Sequence, residues 1–291
     1  MKQGYGKTAL FLTAMLWGTT FAIGKLAAEV YSASFIIALR FTIASAVLVA
    51  VTLPLRTLID KQYLIHGFWM GITLFLSYLF QVIGLTMDTS PGKSAFLCTT
   101  YCVMIPFLHW GVTKRKPKLL HVACVFLCLA GVGVLSLQGS MRMSMGDIMT
   151  VLSGVPCAVN MVISSIVCRD NDKNPLLLTT IELVVVMICA WICVLASGGM
   201  PVQIYQEATI GIVYLGVVAT ALCLFLQSYG LKHTEASIGG MIISLESVFG
   251  VIFSVIIYHE RITLRMLLGF AVIFAAIVLS QWEGKRNKKD A

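Results

Sequence analysis

The sequence predicts an all-α integral membrane protein with ten transmembrane helices, arranged as two inverted five-helix repeats. Three observations carry that expectation: an apolar composition, ten evenly spaced apolar stretches, and a self-similarity at an offset of 146 residues. Hydrophobic residues make up 58% of the chain and charged residues 12%, with a mean hydropathy of +0.91. A soluble domain carries about 25% charge. So apolar a chain of 291 residues has too little polar surface to fold in water, and at about 20 residues per crossing it has room for roughly a dozen spans and no separate soluble domain.

The stretches run from 8 to 28, 32 to 55, 64 to 87, 92 to 113 and 119 to 138, then 146 to 168, 175 to 197, 208 to 231, 236 to 258 and 264 to 282. An even count puts both termini on one side. The first stretch follows Lys2 and Lys7 without a clear small-residue cleavage site, so it reads as a retained helix rather than a leader. The net charge of +8 would suggest nucleic acid in a soluble protein, but the basic residues sit in short loops at helix ends, a topology signal. Fifteen of the 21 Lys and Arg residues fall on the side of the termini, among them Arg56, Lys114, Arg115, Lys118, Lys173 and the tail 285 to 289. Five lie toward the other side (Lys25, Lys93, Arg142, Arg261 and Arg265), and Arg40 lies inside a span. Cytoplasmic loops retain Lys and Arg, so both termini are expected in the cytoplasm and the chain in the plasma (inner) membrane. The tail would also contact anionic lipid.

The repeat is visible where Gly84-Leu85-Thr86-Met87-Asp88-Thr89 is matched by Gly230-Leu231-Lys232-His233-Thr234-Glu235. At the same offset Lys114-Arg115 meets Glu260-Arg261. The two copies are expected over residues 1–140 and 141–291. Five spans per copy is odd, so the second enters the membrane from the opposite side. Inverted repeats place a substrate site near the midplane and permit alternating access by rocking of one half against the other, which points to transport of small solutes.

In order and spacing, several motifs resemble the EamA-type carriers of the drug/metabolite transporter superfamily. They are Leu16-Trp17-Gly18-Thr19-Thr20-Phe21, Leu39-Arg40-Phe41, and Ala95-Phe96-Leu97 through Pro106. In the second half they are Gly146-Asp147, Ser244-Leu245-Glu246, and His259-Glu260-Arg261-Ile262-Thr263 before Gly269. The resemblance covers essentially the whole chain and implies a central cavity lined by spans one to four and six to nine. Similar carriers often have Pro where this chain has Ser247, and Gly where it has His259; Lys114 stands where the acidic residue of the second half might recur.

Charge inside the bilayer is expensive, about 2.5–3.5 kcal/mol per residue on insertion scales, which makes Arg40, Glu182 and Glu246 the first functional candidates. Arg40 either anchors a substrate carboxylate or phosphate or snorkels outward from its depth of about 10 Å. Glu246 either carries a proton or an amine, or pairs structurally. Glu182 is expected to face a cytoplasmic vestibule. Pro106 and Pro156 are expected to interrupt spans four and six, lining a cavity or kinking for packing. Trp17, Tyr78, Gln81, Tyr101, Asn160, Tyr214 and Gln227 supply the aromatic faces and neutral polar groups of an amphipathic-solute cavity, the alternative for each being interhelical packing.

Small-residue pairs at four-residue spacing (Gly67/Gly71, Gly18/Ala22, Gly240/Ser244, Gly250/Ser254 and Ala271/Ala275) mark close helix contacts. Three Cys pairs share that spacing without further ligands, so packing is expected rather than a metal site, and no cofactor is implied. The chain has no phosphate-binding loop and no hydrolase signature. Export by proton coupling or exchange is therefore the leading expectation, as monomer or homodimer, with a membrane-embedded enzyme or a sensor or channel as alternatives.

Overall fold

The structure, a computed structural model, describes residues 2–114, 116–117, 119–136, 143–170, 174–234 and 236–282. Outside these lie the tail 285 to 289, the loop cations Arg115, Lys118, Arg142 and Lys173, and the repeat residue Glu235. The described residues are helical and carry no strand, as an apolar bundle requires, since a helix satisfies its backbone internally where water is absent.

Span one is α1 (Lys2–Ala28), span two α2 (Ala33–Thr52), and span three α3 (Lys61–Thr86). Ser32 opens α2 by accepting from the Phe35 amide, and Asp60 opens α3 through Tyr63. Pro54 turns the end of span two into a 3-10 helix over Leu53–Leu58. Span four is two helices, α4 (Pro91–Cys98) and α5 (Tyr101–Thr113); span five is α6 (Leu119–Ser136), span six α7 (Met145–Asp170) and span seven α8 (Pro175–Ser197). Span eight comprises α9 (Gln206–Gly216), a π segment over Val217–Leu222, and α10 (Cys223–His233). Span nine is again two helices, α11 (Ala236–Ile243) and α12 (Glu246–Tyr258), and span ten is α13 (Leu264–Trp282). Eight of the spans contain helices long and apolar enough to cross a membrane, and two shorter apolar helices, Glu246–Tyr258 and Leu264–Ser280, accompany them.

The interruptions correct the expectation placed on the prolines. Pro106 and Pro156 both lie inside continuous helices. Span four instead breaks at Thr99-Thr100, where Thr99 Oγ1 donates to the Phe96 carbonyl and Thr100 Oγ1 to that of Leu97. Hydroxyls bonding back to the preceding turn compete with main-chain donors and loosen a helix. Span nine breaks at the matching place, Ser244-Leu245, with Ser247 Oγ donating to the Ser244 carbonyl. Both broken spans end on a non-glycine residue in the left-handed region, Lys114 (φ 59°) and His259 (φ 55°).

Packing interleaves the two halves. A Cβ on Gly84 of span three would meet Thr150 and stand 2.8 Å from the Gly146 carbonyl of span six, while one on Gly230 of span eight would stand 2.9 Å from the Gly6 carbonyl of span one. These contacts are counterparts under the repeat. Span nine lies against span one, where Gly18 leaves room for Phe249 and Gly250. Gly67 and Gly71 admit Ile181 and Val185 of span seven, as their spacing predicts. One apolar core joins spans two, three, seven and eight around Phe41 and Leu183, and another joins spans four, five, six and ten around Leu97 and Ile273. Phe68, Trp69, Phe126, Leu195 and Ile256 stay exposed on the outside, the surface a bilayer would cover.

Candidate substrate cavity

Between these cores lie the charged groups of the membrane interior. Arg40 is 6% exposed. Its Nε donates to Thr220 Oγ1 at 2.9 Å and its Nη2 to the Tyr78 hydroxyl at a long 3.4 Å. The guanidinium carbon stands 4.8 Å from the centre of the Tyr78 ring, a distance at which a cation is attracted to the ring face. Thr220 belongs to the π segment, and its hydroxyl donates five residues back to the Leu215 carbonyl. Trp17 Nε1 donates to the Ala219 carbonyl of the same segment. The irregular turn of span eight is therefore held by Trp17 on one side and holds Arg40 on the other, and such π turns recur at functional sites.

Arg40 lines a narrow cleft, with room for about one water molecule, together with Thr20 and Gly24 of span one, Tyr78, Gln81 and Leu85 of span three, and Leu215 of span eight. Among the described residues no carboxylate pairs with the guanidinium: the ion pair found there is Lys93–Asp147. Arg40 therefore neither pairs with Glu246 nor reaches an exposed surface.

Glu246 is 7% exposed and is the first residue of α12, directly after the break in span nine. Among the described residues no hydrogen-bond donor reaches its carboxyl group. Glu246 is within electrostatic reach of Tyr78, Cys98, Tyr101, Cys157 and Cys223, from spans three, four, six and eight. Tyr78 and Cys223 also sense Arg40. Arg40 and Glu246 thus address one central space without closing on each other.

The remaining candidates divide. Tyr78 and Gln81 line the cleft. The Tyr214 hydroxyl meets Thr19 Oγ1 at 2.9 Å, joining spans one and eight. Tyr101 is buried at the break in span four, and Gln227 is half-buried on α10 beyond the π segment. Asn160 is already engaged: its Nδ2 donates to Glu182 Oε1 at 2.7 Å and to the Met70 carbonyl at 2.9 Å. Glu182 is accordingly 6% exposed and does not face a vestibule.

Sequence reasoning missed the role of Lys93, which it counted with the helix-end cations. Lys93 Nζ donates to Asp147 Oδ2 at 2.7 Å with both side chains buried, and Thr89 Oγ1 supports the same carboxylate at 3.0 Å. The motif Gly146-Asp147 was visible, but nothing local in sequence joins it to position 93. The π segment also left no signal, since it depends on Thr220 meeting Arg40 from another half of the chain. The described cysteines are free thiols, and no cluster of three metal-ligating side chains occurs among the described residues.

An all-helical bundle with ionisable groups buried around an interior cleft fits a polytopic membrane protein. The EamA-like transporter family matches the chain twice, over residues 4–137 and 144–282. The chain belongs to that family. Two relatives from Archaeoglobus fulgidus, each described as an uncharacterized transporter, are 28% and 22% identical to it; the alignments cover 96% and 93% of this chain and 87% and 95% of theirs. A WAT1-related protein of Arabidopsis thaliana is 21% identical over 76% of this chain and 60% of its own length. One solved crystal structure superimposes with a TM-score of 0.63 at 17% identity, covering 96% of this chain and 98% of that one, a likeness of fold alone.

Proposed function

We propose that the protein is a secondary transporter that exports small organic solutes across the plasma membrane by alternating access, driven by proton coupling or exchange. The observation that carries this reading is a central pair of ionisable groups that do not pair: Arg40 on a π turn with no carboxylate partner, and Glu246 at a helix break with no donor, both among the described residues. A charge buried without its partner is costly, and a transporter recovers that cost when substrate or proton arrives. Arg40 receives an anionic group of the solute, Glu246 a proton or an amine, and Trp17, Tyr78, Gln81, Tyr101, Tyr214 and Gln227 form the walls; Asn160 holds Glu182 outside them.

Residues 1–140 and 141–291 act as the two inverted repeats, with both termini cytoplasmic, in a monomer or homodimer. The interleaved packing, span one against span eight and span three against span six, supports moving units that cut across the repeats. Proteoliposomes loaded with a defined mixture of small organic acids, amines and amino acids, with efflux followed by mass spectrometry under an imposed pH gradient, test the reading. At least one component should leave saturably through the wild-type protein and not through Glu246→Gln. Passive, non-saturable ion conductance, or undiminished efflux through Glu246→Gln, would defeat it.

A further inference from the structure

On the membrane face away from the chain termini, the hairpin joining spans three and four is gripped at both ends by charges from other spans. Helix α3 ends at Thr86 without a basic residue in its last turn, and α4 begins at Pro91 without an acidic residue in its first. Lys25 of span one supplies the missing cation: its Nζ donates to the Leu85 carbonyl at 2.6 Å and to the Met87 carbonyl at 2.9 Å. Glu260, just beyond span nine, supplies the missing anion: its carboxylate accepts from the Gly92 amide at 2.9 Å and from the hydroxyls of Ser90 and Ser254. Each sign suits its helix end, since carbonyls at a C-terminus attract cations and amides at an N-terminus attract anions. Gly92 leaves room for the approach, since a Cβ there would stand 3.0 Å from Glu260 Oε2 and press on the carboxylate.

The grip has a direction. Spans one and nine pack on each other, where Gly18 meets Phe249 and Gly250, and the Tyr258 hydroxyl donates to Glu29 Oε1 at 2.8 Å. Spans three and four are tied to span six, through Gly84 against Gly146 and through Lys93–Asp147, and span four also meets span nine, where a Cβ on Gly250 would stand 2.4 Å from that of Ala95. Lys25 and Glu260 therefore reach from spans one and nine to a hairpin that span six also holds. The Arg40 cleft lies directly below, for Gly24, beside Lys25, and Leu85, whose carbonyl Lys25 binds, are among its lining.

We propose that Lys25 and Glu260 form a gate, a two-point charge clamp that closes the Arg40 cleft toward the face opposite the termini and must release the hairpin for the cleft to open there. It rests on the alternating-access reading above. Both contacts bind backbone groups at helix ends, so release exposes amides and carbonyls that water satisfies at once. A buried carboxylate–ammonium pair such as Lys93–Asp147 has no such replacement, and it stays closed.

The test measures access rather than transport. Val82 is 6% exposed and lines the cleft. With Val82→Cys in a chain whose own cysteines are replaced, reconstituted in nanodiscs so that both faces meet solvent, reaction with a membrane-impermeant maleimide should be slow. Lys25→Met and Glu260→Gln should each speed it on the order of tenfold, and Lys25→Arg should stay near the parent rate. Gly92→Leu, which crowds the carboxylate without touching a charge, should act like Glu260→Gln. Unchanged labelling in monodisperse Lys25→Met protein overturns the clamp, as does Lys25→Arg labelling as fast as Lys25→Met. Should Glu260→Gln fail to fold, Lys25→Met decides alone. Because no solute is involved, accelerated labelling in a protein that transports nothing supports the clamp while removing the transport reading, and unaltered labelling in an active transporter removes the clamp only.

Discussion

Removing one partner of the Lys93–Asp147 pair should be among the most damaging single changes to this fold. Asp147 is 0% exposed and Lys93 6%, with Nζ and Oδ2 2.7 Å apart. Two unit charges at that distance attract by about 6 kcal/mol at an effective dielectric of 20, a gain that desolvation largely offsets while the pair is intact. Lys93→Met removes the attraction and leaves a buried carboxylate with Thr89 Oγ1 as its remaining side-chain donor among the described residues. Asp147→Asn strands the ammonium in the same way. Each should cost about 3–5 kcal/mol, the range for breaking a buried pair. The double variant removes both charges and should lie within about 2 kcal/mol of the parent, giving a coupling of at least about 4 kcal/mol in the cycle. Reversible unfolding in mixed micelles, followed by tryptophan fluorescence, measures all four proteins. Single costs below about 1 kcal/mol, or additive effects, would show that the pair is hydrated and that α4 is not anchored to α7 through it.

Two further outcomes follow from the packing. Gly84→Ala, forced against Thr150 and the Gly146 carbonyl, should lose about 1–3 kcal/mol by overpacking; Gly111→Ala, with nothing within 4 Å of the added atom, should be neutral or gain up to about 1 kcal/mol from helix propensity. Thermal melting of the two side by side checks this, and equal losses would refute the span three–span six contact. Asn160→Leu should lower stability by about 1–3 kcal/mol through the lost Glu182 bond while leaving the KM of any transported solute unchanged. A raised KM in folded Asn160→Leu protein would return Asn160 to the cavity wall.

Much of the architecture was legible because the bilayer restricts the possibilities. A helix in lipid needs only length and apolarity, both local properties, so ten stretches, their loops and the closely spaced Gly67 and Gly71 could be read directly. The weight on Arg40 and Glu246 was also local, since a charge within an apolar run is unusual in any context. Pro106 and Pro156 misled for the complementary reason. Proline's missing amide is a local fact, but whether the helix yields depends on its neighbours, and the breaks appeared instead where Thr99, Thr100 and Ser247 hydroxyls bond the preceding turn.

Partnership is what the tertiary structure alone decided. Sequence by itself determined a membrane-embedded helical carrier, its repeat, and which charges lie at depth. It did not determine that Glu182 is satisfied by Asn160 while Glu246 has no donor among the described residues, that Arg40 leans on a π turn 180 residues away at Thr220, or that Lys25 and Glu260 hold one hairpin between them. Those facts depend on which helix lies beside which, and in a bilayer apolar faces scarcely discriminate among neighbours. Glycine contacts and a few polar atoms make that selection, and they can be recognised only when the spans are packed together.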